Sequence, residues 1–334
     1  MKNDNTIRNV SIIGTGSYLP ERVLTNADLE KMVDTTDEWI YTRTGIRERR
    51  IAREDQPVSD MAKEASKKAL SNANIRPDEV GMIVVATTTP DMMLPNTACL
   101  VQDLIGAKNA FCLDVSAACA GFLYGLEVAH TFIASGNIDT ALVIGSDKMS
   151  CITDWQDRST CVLFGDGAGA AVLQARDGTR GIMRTLLGSN GSLADLLKIP
   201  AGGSRKTASV QTVKDRSHYI KMEGREVFKH AVTCMTNAAQ QILDHCGLTI
   251  QDVNCIIPHQ ANARIIKAIG QQINAPLETF YINVEKYGNT SAASIIVAMD
   301  EASQDHRIKT GDLVLLVGFG GGFSWGASLI EWCR

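Results

Sequence analysis

The chain repeats itself once, and that repeat restricts it to folds built from two like halves. EVGMIV begins at Glu79 and DVNCII at Asp252, and 252 − 79 = 173. The helix-like segments before them, MAKEASKKALSNANI from Met61 and CMTNAAQQILDHCGL from Cys234, give 234 − 61 = 173. IDTALVIGSD aligns with TGDLVLLVGFG, with Asp139 against Asp312 and 312 − 139 = 173. VSIIGTGS, with Gly14, echoes RTLLGSNG, with Gly188, and both halves close on a small-residue strand, AGAAVL and WGASLI. Each match is short; the shared offset gives them weight.

Each half reads strand, long excursion, helix, strand, helix, strand and a final strand pair. Apolar β-branched strands alternating with helices predict a mainly parallel sheet covered on both faces. Two such units packed together make an α/β fold of five layers, α-β-α-β-α, with halves at 1–178 and 179–334. The middle layer must then be apolar on every side. SAACAGFLYGLEVAHTFIASG, residues 116–136, meets that demand: only Tyr124, Glu127 and His130 interrupt an all-round apolar helix that stops at Gly136. TSAASIIVAMDEA is its counterpart in the second half. The two excursions, about residues 17–60 and 189–224, leave their sheets at equivalent ends and are expected to wall one cavity.

The bulk numbers exclude several classes. Lys and Arg total 33 against 37 Asp and Glu, so nothing marks nucleic acid as a partner. No apolar run approaches a membrane span, and MKNDNTIRNVSIIGTG carries no signal-peptide core. Nine cysteines, an odd number with no CxxC pair, point to a reducing cytoplasm rather than a disulfide framework. No spacing suggests a metal site. GTGSYL and GDGAGA do not complete a dinucleotide fingerprint, and no GKS/T is present.

A free cysteine is ordinarily inert packing, which is the reading for Cys99, Cys112, Cys151, Cys161, Cys234, Cys246, Cys255 and Cys333. Cys119 differs by place. It sits in the first turn of the buried helix, after the strand-like AFCLDV, where unpaired N–H groups and the helix dipole predict an ionised, nucleophilic thiol. Strand ends aimed at helix starts are also where open α/β sheets bind ligands. Of six histidines, His259 in IIPHQANARI alone follows a strand at the mouth of the second sheet. Asn289, in YGNTSAAS, opens the second buried helix, so Cys119, His259 and Asn289 are expected at one end of both sheets. GFGGGFSWG, from Gly318 to Gly326, reads by default as a tight turn, but three consecutive glycines also let backbone N–H groups approach an oxyanion.

SAACAGF, PHQANARII, YGNTSAAS and FGGGFSWG, with DEWIYTRTGIRERR upstream, resemble β-ketoacyl-acyl carrier protein synthase III, the initiating condensing enzyme of type II fatty acid synthesis with the thiolase fold. The resemblance covers nearly the whole chain. It implies that Cys119 takes an acyl group from acyl-CoA as a thioester. His259 and Asn289 then hydrogen-bond the malonyl thioester of malonyl-acyl carrier protein as CO₂ leaves, and the carbanion attacks acyl-Cys119 while N–H groups of Cys119 and Gly321 hold the oxyanion. No metal or redox cofactor is implied. Trp39 and Arg158 match an adenine sandwich, Arg43 a nucleotide contact, and Thr35, Gly224 and Asn262 the pantetheine channel. Read without the resemblance, Trp39 is helix packing and Arg43, Arg47, Arg49 and Arg50 form a solvated basic arm. Lys229, Arg264 and Lys267 match a carrier-protein patch, and Gln271 and Gln272 stand where a basic pair is expected. Leu94 matches a position that reaches across a homodimer to close the partner's acyl pocket; being smaller than an aromatic, it predicts acceptance of primers beyond acetyl.

Three rival readings remain at this level. One is a thiolase-fold acyltransferase with another acceptor. The second is a thiol hydrolase, which has no use for a duplicated chain and needs water access. The third is a non-catalytic acyl-binding subunit, for which loss of the cysteine would be the mark.

Overall fold

The elements follow from where apolar and small residues fall. The structure, a computed structural model, describes residues 7–178 and 180–334. The division placed between residues 178 and 179 meets Thr179, which lies outside the described residues, as do the first six residues of the amino-terminal stretch. In the first half come β1 (Val10–Tyr18), α1 (Asp37–Thr44), α2 (Val58–Ala73), β2 (Met82–Ala86), α3 (Thr97–Ile105), β3 (Phe111–Val115), α4 (Gly121–Ala134), β4 (Thr140–Lys148) and β5 (Asp166–Ala175). The second half supplies β6 (Ile182–Ser189), α5 (Gly224–Cys246), β7 (Cys255–Pro258), α6 (Ala263–Ile273), α7 (Ala293–Gln304), β8 (Leu313–Gly320) and β9 (Ser324–Glu331).

The first sheet runs β1-β5-β4-β2-β3 and the second β6-β9-β8-β7, one order with its last strand missing. The offset holds for the strand starts: Thr140 of β4 plus 173 is Leu313 of β8, and Met82 of β2 plus 173 is Cys255 of β7. The strand equivalent to β3 is reduced to a single parallel bridge between Ile256 and Phe280. Neither sheet is mainly parallel. β2 pairs parallel with β3 and β4, and β7 with β8, but β1–β5, β4–β5, β8–β9 and β9–β6 are antiparallel. The cause is the closing strand of each half, which returns beside its predecessor without a helical crossover.

Helices α4 and α7 fill the space between the sheets. Phe122, Leu123, Leu126 and Ile133 of α4 and Ile295, Ile296 and Met299 of α7 share one core cluster with strands of both sheets. Each such side chain contributes about 1.5–3 kcal/mol on burial. Outside the first sheet, α2 and α3 pack in one cluster; outside the second, α5 and α6 pack in another. The result is the five-layered thiolase-like fold. Helix and strand come close in the middle layer: a Cβ at Gly145 would lie 2.3 Å from the carbonyl oxygen of Ala292.

Candidate active site

Both buried helices begin at a strained turn. Ala118 and Ser291 each hold a positive φ, 46° and 51°, and 291 − 118 = 173. A non-glycine residue in that region is uncommon and persists where surrounding structure enforces it. In the first half the turn places Cys119 in a short 3-10 turn, Ala118–Ala120, ahead of α4. In the second it brings Asn289 and Ser291 to the cavity that Cys119 lines, and the donors on both side chains draw the Cys119 thiol pKa down. The orientation of Asn289 is fixed: its Oδ1 accepts from the Ser291 N–H at 2.8 Å, leaving the amide N–H groups to donate. Its backbone is tied to the first half, donating to Leu163 O at 2.8 Å and accepting from Gly165 N at 3.0 Å.

His259 follows β7 directly and is anchored by its N–H to Val317 O at 2.8 Å. Its Nδ1 lies 2.6 Å from Ser294 Oγ on α7, so Nε2 is the nitrogen left for a ligand. Next to it, buried Gln260 accepts from the N–H groups of Asn283 and Val284 and donates to the carbonyls of Pro258 and Tyr281, pinning the chain that leads to Asn289.

Burial governs the charge states. It pushes the Cys119 thiol up to about 12, against the opposing hydrogen bonds of Ser291, its own backbone N–H and Asn289. The ionised thiol expected from a helix start is therefore not the resting state, because loss of solvation outweighs the donors. Burial also holds the His259 imidazole down to about 3, so it is neutral across the physiological range. The resting pair is thiol and imidazole, not thiolate and imidazolium. Iodoacetamide should accordingly alkylate the Cys119 peptide at a rate climbing about tenfold per pH unit from pH 7 to 9.5. A pH-independent rate across that range, read by peptide mass, would mean the thiol is already ionised.

The glycine run has a specific steric task. A Cβ at Gly320 would lie 2.5 Å from Cys119 N and 3.1 Å from Ala120 N, backbone atoms that cannot yield, whereas one at Gly321 would meet only Leu197, at 3.4 Å. Gly320→Ala is expected to displace Cys119, lower stability by about 1–3 kcal/mol and cut acyl loading at least about hundredfold. Gly321→Ala should stay within a few-fold of wild type in loading and melting temperature. Equal behaviour of the two variants would contradict this account of the turn.

Cys119, His259, Asn289 and Gly321 line one cavity of about 330 Å³, together with Gly224 and Asn262. Its other walls are mostly apolar, among them Met149, Ile152, Phe164, Leu197, Ile220 and Met222. Ser291, to which the sequence reading gave no role, lines it too, as does Gly320, the first of the three consecutive glycines. Ser291 stood in a quoted stretch, TSAAS, where nothing distinguished it from a packing residue. Thr35, Trp39, Arg43, Arg158, Lys229, Arg264, Lys267 and Leu94 do not line it. Three of these form a second group: the Arg43 and Arg158 guanidinium carbons lie 4.7 and 4.9 Å from the Trp39 ring centre. Asn262 Nδ2 donates to Arg43 O at 3.1 Å, linking that group to the cavity mouth. Thr35 Oγ1 is buried with no partner among the described residues. Arg49, expected in a solvated arm, is fully buried and donates to Leu24 O, Asn26 Oδ1 and Val162 O. Lys229 on α5 and Arg264 and Lys267 on α6 are exposed, as are Gln271 and Gln272. Leu94 is 86% exposed.

The sequence matches the family described as 3-oxoacyl-[acyl-carrier-protein (ACP)] synthase III over residues 113–191, and its C-terminal part over 243–332. It is 54% identical to the β-ketoacyl-[acyl-carrier-protein] synthase III of Caldanaerobacter subterraneus subsp. tengcongensis, over 97% of this chain and 98% of that relative. The crystal structure of 3-oxoacyl-[acyl-carrier-protein] synthase III from Aquifex aeolicus VF5 superposes with a TM-score of 0.90 at 48% identity, covering 97% of this chain and all 100% of that one. The priming β-ketosynthase of the R1128 polyketide biosynthetic pathway superposes at 0.91 with 36% identity, covering 98% of each chain. Identity of this extent along almost the full length, on a shared fold, places the chain in the β-ketoacyl-[acyl-carrier-protein] synthase III family.

Proposed function

We propose that this enzyme condenses an acyl-CoA primer with malonyl-acyl carrier protein, losing CO₂, to give β-ketoacyl-acyl carrier protein. The observation that carries the reading is the convergence of a thiol, a neutral imidazole and a carboxamide on one mostly apolar cavity. In the first half-reaction the Cys119 sulfur attacks the thioester carbon of acyl-CoA. The S–acyl bond to CoA breaks, and the thiol proton leaves with the CoA sulfur, so the exchange is thiol for thiol. Charge develops on the sulfur only in passing, where Ser291, Asn289 and the Cys119 N–H receive it.

In the second half-reaction the malonyl carboxylate leaves as CO₂ and the electron pair passes into the thioester enolate. Nε2 of His259 and Nδ2 of Asn289 donate to the enolate oxygen. Neutral donors suit this step, since a cation would quench the carbanion by protonating it. The carbanion attacks acyl-Cys119, N–H groups of Cys119 and Gly321 hold the tetrahedral oxygen, and the thiol is regenerated by a proton from solvent. Trp39 with Arg43 and Arg158 binds the CoA nucleotide by stacking and charge, while Thr35, Gly224 and Asn262 line the pantetheine path. Lys229, Arg264 and Lys267 face the acidic carrier protein. Exposed Leu94, with Met93 beside it at 88% exposure, supports a homodimer in which this loop closes the partner's acyl pocket. No described helix is long and apolar enough to cross a membrane; together with the unpaired cysteines this supports a cytoplasmic setting.

The deciding experiment supplies acyl-CoA with and without malonyl-acyl carrier protein. Product should require malonyl and release one CO₂ per β-ketoacyl chain. Acyl transfer to a carrier without CO₂ release would favour the acyltransferase reading instead. Within the reaction, butyryl- and isobutyryl-CoA are expected to prime at rates within about tenfold of acetyl-CoA, because Leu94 leaves more room than an aromatic. Strict acetyl preference in a primer-rate comparison would contradict that role.

A further inference from the structure

Ser294 closes the YGNTSAAS stretch without a role of its own in the reaction described above, yet it is the residue that touches the catalytic imidazole from behind. It lies in the buried layer on α7, 2% exposed. Its Oγ is 2.6 Å from His259 Nδ1 and accepts from the Gln260 N–H at 3.2 Å. No carboxylate contacts this imidazole among the described residues, unlike the acidic partner common behind catalytic histidines.

The position of one proton follows from counting donors. A serine hydroxyl has one proton to give and two lone pairs to receive. Gln260 N–H occupies one lone pair. If Nδ1–H also donated to Oγ, the hydroxyl proton would be buried with no acceptor, since the described residues offer it none besides Nδ1. The network closes only when Ser294 O–H donates to Nδ1. The one ring proton of a neutral imidazole then sits on Nε2.

We propose that Ser294 is a positioning residue that locks His259 in the Nε2–H tautomer, making it a neutral hydrogen-bond donor to the thioester oxygen rather than a base. The assignment deepens the condensation reading and rests on it for the identity of the oxygen. A hydroxyl serves this task where a carboxylate would not: it donates a hydrogen bond to Nδ1 instead of accepting one from it, and it adds no negative charge to favour an imidazolium. It also separates the two half-reactions. Acyl loading needs the sulfur and its donors; decarboxylation needs Nε2–H.

Nitrogen NMR of the full-length protein labelled with ¹⁵N-histidine reads the tautomer directly, with His259 assigned by its absence from the His259→Ala spectrum. Wild type should show Nδ1 as an imine-type nitrogen and Nε2 as a pyrrole-type nitrogen, unchanged from pH 5.5 to 8.5. A protonated Nδ1 in wild type overturns the proposal whatever the variants do. Ser294→Ala should load acyl groups within about threefold of wild type but condense about ten- to hundredfold more slowly, with mixed tautomer signals. Ser294→Thr, which keeps the hydroxyl, should recover the wild-type tautomer and most of the condensation rate. Unchanged condensation and tautomer in Ser294→Ala, or equal loss in both half-reactions, would overturn it. A wild type that holds Nε2–H yet forms no β-ketoacyl product sustains this inference and sinks the functional reading instead.

Discussion

Cys119→Ala is expected to lose acyl loading and condensation together, each by about 10⁴-fold or more, because both half-reactions pass through one sulfur. The protein itself should fold. The change removes one buried sulfur from a turn otherwise made of alanines, and the stability loss should stay near 1 kcal/mol. Intact structure by circular dichroism, with no product from acyl-CoA and malonyl-acyl carrier protein, is the predicted pair of results. Retained loading in this variant would move the nucleophile to another of the nine cysteines.

His259→Ala should divide the reaction. Decarboxylation loses a preorganised donor to the developing enolate and should fall about 10²–10⁴-fold. Loading has no step that uses Nε2 and should remain within a few-fold. The pH behaviour follows with its sign. Burial holds this imidazole down to about 3, so condensation should show no acid limb from His259 between pH 5 and 8. A limb near the ordinary histidine range that disappears in His259→Ala would show the imidazole to be accessible and titrating. Measuring loading by mass and condensation by CO₂ release on the same preparation separates the two effects.

Much of this is legible in the sequence. One offset places β2 against β7 and β4 against β8, and the all-round apolar helix could only be a layer between two sheets. Cys119, His259 and Asn289 each follow a strand or open a helix at one end of a half, so the pseudo-symmetry brings them together. What escaped the sequence has physical causes. The number of strands escaped because the equivalent of β3 has decayed to one bridge. Sheet polarity escaped because a closing hairpin and a crossover look alike in an apolar run. The fully buried Arg49 escaped because nothing local tells an arginine satisfied by carbonyls from a solvated one. The thiol's charge state escaped because a helix-start motif displays the N–H donors but not the solvent lost around them. Ser294 escaped because a serine in a buried helix reads as small packing until its proton is counted.

The central claim is that the acyl chain resides on Cys119. Wild-type enzyme mixed with a panel of acyl-CoAs and no malonyl donor, then digested and mapped by mass, tests it most directly. The predicted result is one acyl group per chain, confined to the peptide containing Cys119, with mass tracking the primer offered. An acyl group on any other residue, or turnover with malonyl-acyl carrier protein and no acyl-enzyme at all, would contradict it.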